Sequence, residues 1–165
     1  MQVKKICMIG DFGVGKTSLV KQFVHSEFSD KYLTTVGVKI DTKLLTLNSG
    51  DQLKLILWDI EGTNKLSTID TNYLRGASGY FIVVDGTRKS TVETAISLNT
   101  QAEQIIGSLP FVLLLNKVDM KEKWQIDKET ILNLKERNFI MRQTSAKNGT
   151  GIEAAFQTLG ERLIK

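Results

Sequence analysis

Gly10-Asp11-Phe12-Gly13-Val14-Gly15-Lys16-Thr17 stands directly after the apolar run Ile6-Cys7-Met8-Ile9 and opens a stretch that reads as a helix from Lys16. The octapeptide fits G-x-x-x-x-G-K-[ST], the pattern of a phosphate-cradling P-loop between strand and helix. Glycines let such a loop curl so that its N–H groups face phosphate oxygens, and the positive end of the following helix strengthens the field. On this reading Asp11, Gly13, Val14, Gly15, Lys16, Thr17 and Ser18 form the phosphate-holding run, with Lys16 supplying a mobile positive charge. The Thr17 hydroxyl suits Mg²⁺, a hard ion that keeps several waters and takes one or two protein oxygens. A chance glycine turn with this pattern has well under about a 1% probability at average composition.

The chain around the loop alternates strand and helix signals. Val38 to Leu47 and Leu53 to Asp59 read as half-buried strands flanking Asn48-Ser49-Gly50-Asp51, a composition that favours a tight turn and an antiparallel hairpin. Tyr80 to Val84 and Phe111 to Leu115 are continuous apolar runs, the mark of central parallel strands covered on both faces. A last short strand is predicted near Phe139 to Met141. Ser90-Thr91-Val92-Glu93 and Thr150-Gly151-Ile152-Glu153 carry the spacing of capping boxes and predict helix starts. Val92, Ala95, Ile96, Ala102 and Ile106 fall near one face of the first of these helices, and Ile152, Ala155, Phe156, Leu159 and Leu163 near one face of the second. The expected fold is α/β: a mostly parallel sheet of about six strands with one antiparallel hairpin and helices on both faces, its ligand site beyond the strands' carboxyl ends.

Composition narrows the class. A chain of 165 residues, 41% hydrophobic and 24% charged, with one proline and no low-complexity stretch, predicts one domain spanning 1–165. The net charge of +4 comes from scattered basic residues, which argues against nucleic-acid binding. No stretch approaches the roughly 20 apolar residues of a membrane span, so a cytoplasmic protein is expected. The single cysteine, Cys7, lies in an apolar run and reads as a buried, inert thiol, while the single histidine, His25, has no ligand-spaced companion and reads as a surface residue. Neither a hydrolase triad nor a zinc-ligand pattern is present.

The second chemical motif follows the strand ending at Leu115. In Asn116-Lys117-Val118-Asp119 a carboxylate can accept both the N1–H and the amino protons of guanine, a donor pair that adenine lacks. Thr144-Ser145-Ala146-Lys147 follows the last predicted strand, placed for a backbone N–H to meet the guanine carbonyl.

These elements, in this order, resemble the Ras superfamily of small GTPases over almost the whole chain, with the Rab branch nearest. Tyr32-Leu33-Thr34-Thr35-Val36-Gly37 is similar to the first switch segment of Rab proteins and Trp58-Asp59-Ile60-Glu61-Gly62 to the second. The resemblance implies that Thr35 coordinates Mg²⁺ and the γ-phosphate, that Asp59 holds an Mg²⁺-bound water, and that Gly62 donates its N–H to the γ-phosphate. It also implies that Tyr32 lies against the nucleotide, Phe28 packs on the base, and Asn116 and Asp119 recognise it. Lys117 would brace the P-loop and base, and Ser145, Ala146 and Lys147 would form the closing loop. The implied function is a guanine-nucleotide-dependent switch that binds GTP or GDP with Mg²⁺ and meets effector, exchange and activating proteins through residues 30 to 40 and 60 to 75.

The chain departs from the family where catalysis is decided. Thr63 follows Gly62 in place of the water-orienting glutamine, and Glu61 replaces a small residue beside the phosphates. Hydrolysis involving Lys16, Thr35, Gly62 and Thr63 is therefore expected to be slow, at or below the order of 10⁻⁴ s⁻¹. A pseudo-GTPase adaptor that holds nucleotide with little turnover is the alternative; a P-loop ATPase or kinase is opposed by Asn116, Lys117 and Asp119. Phe12 adds bulk at the phosphate entrance. Trp58 is expected beneath the second switch and Trp124 as a loop or helix-start anchor. The sequence ends Leu163-Ile164-Lys165 without the prenylatable cysteine of Rab proteins, so no lipid anchor is expected, and it resembles the bacterial Ras-like and Rab-like proteins in this respect.

Overall fold

The computed structural model describes residues 1–29 and 35–164. Among these, six strands form one sheet in the order β2-β3-β1-β4-β5-β6. β1 (Gln2–Gly10) runs parallel to β3 (Gln52–Ile60) and β4 (Gly79–Asp85); β5 (Phe111–Asn116) and β6 (Met141–Thr144) continue the parallel set. β2 (Val38–Thr46) pairs antiparallel with β3, closed by a turn in which Gly50 N–H donates to the Leu47 carbonyl at 2.9 Å. Helices α1 (Lys16–His25) and α5 (Ile152–Leu163) cover one face, and α2 (Thr68–Leu74), α3 (Ser90–Ile106) and α4 (Lys128–Glu136) the other.

Strand residues alternate between two cores, as the pleat requires. Phe81 and Val83 on β4, with Val112 and Leu114 on β5, join Phe23 of α1 and Phe156 of α5, whose rings stack at 3.6 Å. Tyr80, Ile82, Val84, Leu113 and Leu115 face the other way, onto Val92, Ala95, Leu98 and Ala102 of α3. The Tyr80 hydroxyl enters that apolar layer because Asn99 accepts its hydrogen bond at 2.7 Å. Ile96 and Ile106 of α3 and Leu163 of α5 are only partly buried.

Several boundaries depart from the sequence expectation. β1 begins at Gln2, four residues before its apolar run, because its first residues pair with β3 alone, which leaves Gln2 and Val3 exposed and Lys4 and Lys5 partly covered. The last strand lies at Met141–Thr144, beyond the expected Phe139 to Met141; Phe139 instead packs edge-on against Phe111 at 5.2 Å, leaving the polar residues Arg142, Gln143 and Thr144 to pair with β5. Neither expected capping box closes. α3 is entered from helical backbone at Lys89, and the Thr91 hydroxyl turns back to the Arg88 carbonyl at 2.7 Å; α5 starts from Gly151 without a side-chain cap. A capping box does form at Ser67-Asp70 on α2, and Asp127 caps α4 through the Thr130 N–H.

Cys7 is fully buried, its Sγ 3.6 Å from the Tyr73 carbonyl, and burial pushes the thiol up to about 12 against the opposing charge of Lys5. Iodoacetamide at pH 8 is therefore expected to leave the native protein unmodified and to label it once in denaturant, as read by intact mass. Rapid labelling of the native protein would contradict this burial. His25 is half exposed, 3.7 Å from Asp41, as a surface histidine should be. No helix among the described residues is long and apolar enough to cross a membrane.

Candidate functional site

At the carboxyl ends of β1, β3, β5 and β6 the loops enclose a cleft of about 550 Å³. Gly13, Gly15, Lys16, Thr17 and Ser18 line one end; Phe28, Asn116, Lys117, Asp119, Ala146 and Lys147 line the other. Thr35 and Gly62 border the first end, together with Glu61, Val36 and Phe12. Asp11, Val14, Asp59, Thr63 and Ser145 do not line the cleft, and Tyr32 lies outside the described residues.

The loop from Gly10 to Gly15 takes its shape from close approach. Gly15 has φ 102°, and a Cβ there would stand 2.4 Å from the Asn116 amide nitrogen. Asn116 uses that amide to donate to the Val14 carbonyl at 3.0 Å and accepts from Thr144 at 3.1 Å. Lys16 is buried, its Nζ donating to the Gly10 and Asp11 carbonyls at 3.2 and 3.1 Å. Burial lowers this ammonium to about 8 against the attraction of Asp59 and Asp11. Among the described residues this ammonium is held by carbonyls and has no close counter-ion, so this end of the cleft favours an anion.

Beside it, Thr17, Thr35 and Asp59 converge. The Thr17 hydroxyl donates to Asp59 Oδ2 at 2.6 Å, the Thr35 hydroxyl reaches the same oxygen at 3.3 Å, and the two hydroxyls touch. Asp59 is fully buried, its other oxygen has no hydrogen-bond partner among the described residues, and burial raises the carboxyl above its usual range although Thr17 and Lys16 pull it down. Two hydroxyls and a buried carboxylate with an orphaned oxygen form a hard oxygen set that fits Mg²⁺, directly or through water.

At the far end the Ser145 hydroxyl donates to Asp119 Oδ1 at 2.7 Å and itself accepts from the Asn148 N–H. Ser145 is fully buried, so it aims the carboxylate from behind. Such a carboxylate can accept two neighbouring donors from a planar ring. Phe28 is 39% exposed, leaving an apolar surface at the same end. Lys117, in the left-handed region at φ 72°, spans the two ends by donating to the Gly13 carbonyl at 3.1 Å and to Asp85 at 2.9 Å. Asp85 escaped the sequence reading because it terminates an apolar strand with no motif around it. Burial opposes its ionisation, yet hydrogen bonds from Thr87, Lys117 and Arg88 outweigh that and hold its carboxyl below the usual range.

The departures at the second switch have definite positions. The Thr63 hydroxyl donates to the Lys65 carbonyl at 2.6 Å and accepts from the Lys65 N–H at 3.1 Å, which turns it into its own loop. Glu61 lines the cleft and accepts the Gly37 N–H at 3.3 Å, while its own N–H donates to the Gly37 carbonyl at 2.9 Å. Gly62 lies so close to the phosphate loop that a Cβ would stand 2.7 Å from the Phe12 Cα. Phe12 is 58% exposed at the mouth, and Trp58 packs 6.2 Å from the Tyr73 ring below the switch. Trp124 packs against the second core just after a 3-10 turn at Lys121–Lys123, an anchor for the loop that follows Asp119.

The model of the Ras family matches residues 5–165. The chain is similar to Ras-related protein Rab-32 from Homo sapiens, 36% identical over 167 residues covering 97% of this chain and 74% of that protein. It is likewise similar to Ras-related protein Rab-13 from Canis lupus familiaris, 35% identical over 163 residues covering 97% and 79%. Ras-related protein Rab-32A from Dictyostelium discoideum is 33% identical over 170 residues, covering 98% and 78%.

Proposed function

Because the chain belongs to the Ras family and is a Rab-like, GTP-binding molecular switch, we propose that it holds GTP or GDP along this cleft with the phosphates at Lys16 and the base at Asp119, and turns GTP over slowly. The observation that carries the reading is the pairing of a buried ammonium, without a close counter-ion among the described residues, at one end with a Ser145-aimed carboxylate at the other. The N–H groups of Gly13 to Ser18 meet the α- and β-phosphates, and Lys16 meets the β- and γ-phosphates. Phe28 packs on the base, the carboxylate of Asp119 accepts its N1–H and amino protons, and Ala146 and Lys147 close over it. Asn116 and Lys117 act by bracing, as their bonds to the Val14 and Gly13 carbonyls support. Asp11 bonds through its carboxylate to the Phe12 N–H and the Thr94 hydroxyl, which supports a backbone contribution from this residue.

Mg²⁺, when bound, neutralises phosphate charge; Thr17 and Thr35 offer their hydroxyls to it and Asp59 a water-bridged oxygen. Thr35 and Gly62 lie on opposite switch segments, so a γ-phosphate contacting both supplies the differential interaction that orders them. In hydrolysis a water oxygen forms the new bond to the γ-phosphorus as the bond to the β–γ bridging oxygen breaks, and the water's proton passes to phosphate. The exposed apolar residues Val36, Ile40 and Ile69, with Ile40 opposite Trp58 in the β2–β3 pairing, are where the GTP form recruits an effector.

Slow turnover follows from Thr63, whose hydroxyl is committed to Lys65 and too short to orient the water. Thr63→Gln is expected to raise the single-turnover rate of the purified protein about tenfold or more, since one transition-state hydrogen bond is worth 10²–10³ in rate when fully placed. An unchanged rate would transfer the deficit to Glu61, whose negative charge borders the γ-phosphate seat. The same committed hydroxyl favours a second reading, an adaptor that keeps its nucleotide. Hydrogen exchange across both switches separates the two: a cycling switch changes protection between GDP and a GTP analogue, and an adaptor shows matching patterns.

A further inference from the structure

The carbonyls of the phosphate loop can be followed one by one. Gly10 accepts from Lys16 Nζ and from the Thr63 N–H at 3.0 Å; Asp11 accepts from Lys16 Nζ; Gly13 accepts from Lys117, Val14 from Asn116, and Gly15 from the Leu19 N–H at 2.9 Å. The remaining carbonyl, that of Phe12, accepts from the Arg88 guanidinium. The C=O of one residue and the N–H of the next share a peptide plane and point in opposite directions, so a donor that fixes the Phe12 carbonyl also fixes the aim of the Gly13 N–H. Arg88 is the member of this set that no motif contains.

Its geometry differs from that of an ordinary surface pair. Arg88 Nε donates to Asp85 Oδ2 at 3.0 Å, and the Asp85 side chain is only 2% exposed. The same carboxylate oxygen accepts from Lys117 Nζ at 2.9 Å. One buried carboxylate therefore yokes two cations that hold adjacent carbonyls, Phe12 and Gly13. The preceding peptide is held too, the Phe12 N–H donating to Asp11 Oδ1 at 2.8 Å. The positive charge of Arg88 also acts on Lys16, which puts it within electrostatic reach of the phosphate seat.

We propose that Arg88, held by Asp85, is a positioning residue for the phosphate end of the nucleotide: it fixes the Phe12 carbonyl and thereby the aim of the Gly13 N–H. This rests on the guanine-nucleotide reading of the cleft. It requires both edges of a guanidinium, one on the carboxylate and one on the carbonyl; the single head of a lysine keeps the ion pair and loses the second bond.

The test compares GDP with GMP, which lacks the β-phosphate, on wild type, Arg88→Ala and Arg88→Lys with Mg²⁺ present. Both variants are expected to lose about tenfold in GDP affinity, the worth of one charge-assisted bond, with less than half of that factor lost for GMP. The ³¹P resonance of the bound β-phosphate is expected to move. Arg88→Lys carries the test alone should the alanine variant not fold. An unmoved resonance with unchanged GDP affinity would overturn the proposal, and so would equal losses for GDP and GMP, which would make Arg88 a support of the fold at large. Wild-type protein that binds neither nucleotide would overturn the reading of the cleft itself.

Discussion

Replacing Asp119 by alanine is expected to erase the preference for guanosine over adenosine nucleotides. Two hydrogen bonds from guanine to an ionised carboxylate are worth about 1.5–3 kcal/mol each, so the GDP-to-ADP affinity ratio should fall by at least about a hundredfold. The loss is to be seen in GDP affinity, with ADP affinity nearly constant, because the phosphate end is untouched. The tertiary structure sharpens the expectation. Ser145 donates to Asp119 Oδ1, and Ser145 is itself oriented through the Asn148 N–H, so Ser145→Ala should relax the same preference by a smaller factor. Competition of unlabelled GDP and ADP against a fluorescent guanine nucleotide measures both. A ratio unaltered by Asp119→Ala would mean that another group reads the base.

Replacing Lys16 by alanine is expected to weaken GDP and GTP by about 10²–10³-fold. An ammonium about 4 Å from a phosphate charge contributes about 4 kcal/mol at an effective dielectric of 20, less what the empty site recovers through water. The nucleotide-free fold should lose little, because burial already places this lysine well below its ordinary value, at about 8, and its partners in the described structure are backbone carbonyls. Thermal unfolding separates these effects. GDP at a hundredfold excess over its dissociation constant stabilises wild type by about 2.7 kcal/mol, roughly 5–10 °C for a chain of this size. The variant should unfold near the wild-type temperature without nucleotide and show almost none of that shift at the same GDP concentration. A full shift would remove Lys16 from the phosphate site.

Much of the fold and part of the site could be read from local pattern. Tyr80 to Val84 and Phe111 to Leu115 announced themselves as central strands because both faces of β4 and β5 are covered, so every residue had to be apolar. Met141–Thr144 did not, since an edge strand in contact only with β5 carries polar side chains at little cost. The helix starts at Ser90 and Ile152 were near their expected places, but the caps were not. Thr91 satisfies carbonyls of the preceding turn, and Gly151 enters α5 through a left-handed backbone that needs no side chain. Helices α2 and α4 are short and went unread, although Ser67 and Asp127 cap them.

Within the site the division follows the distance along the chain between cooperating groups. The phosphate loop and the Asn116-Lys117-Val118-Asp119 motif concentrate their chemistry in a few consecutive residues, where backbone curl, one ammonium and one carboxylate are specified by residue type and spacing. The sequence alone therefore determined the sheet and the two segments proposed to hold phosphate and base. Tertiary structure alone decided which side chains face inward. It brought Thr17 to Asp59 across 42 residues, turned the Thr63 hydroxyl into its own loop, and carried Arg88 to a carbonyl 76 residues away. Hydrogen bonds are short-ranged and directional, so spacing can propose such partners, and only the packed sheet and its loops bring donor and acceptor within 3 Å of each other.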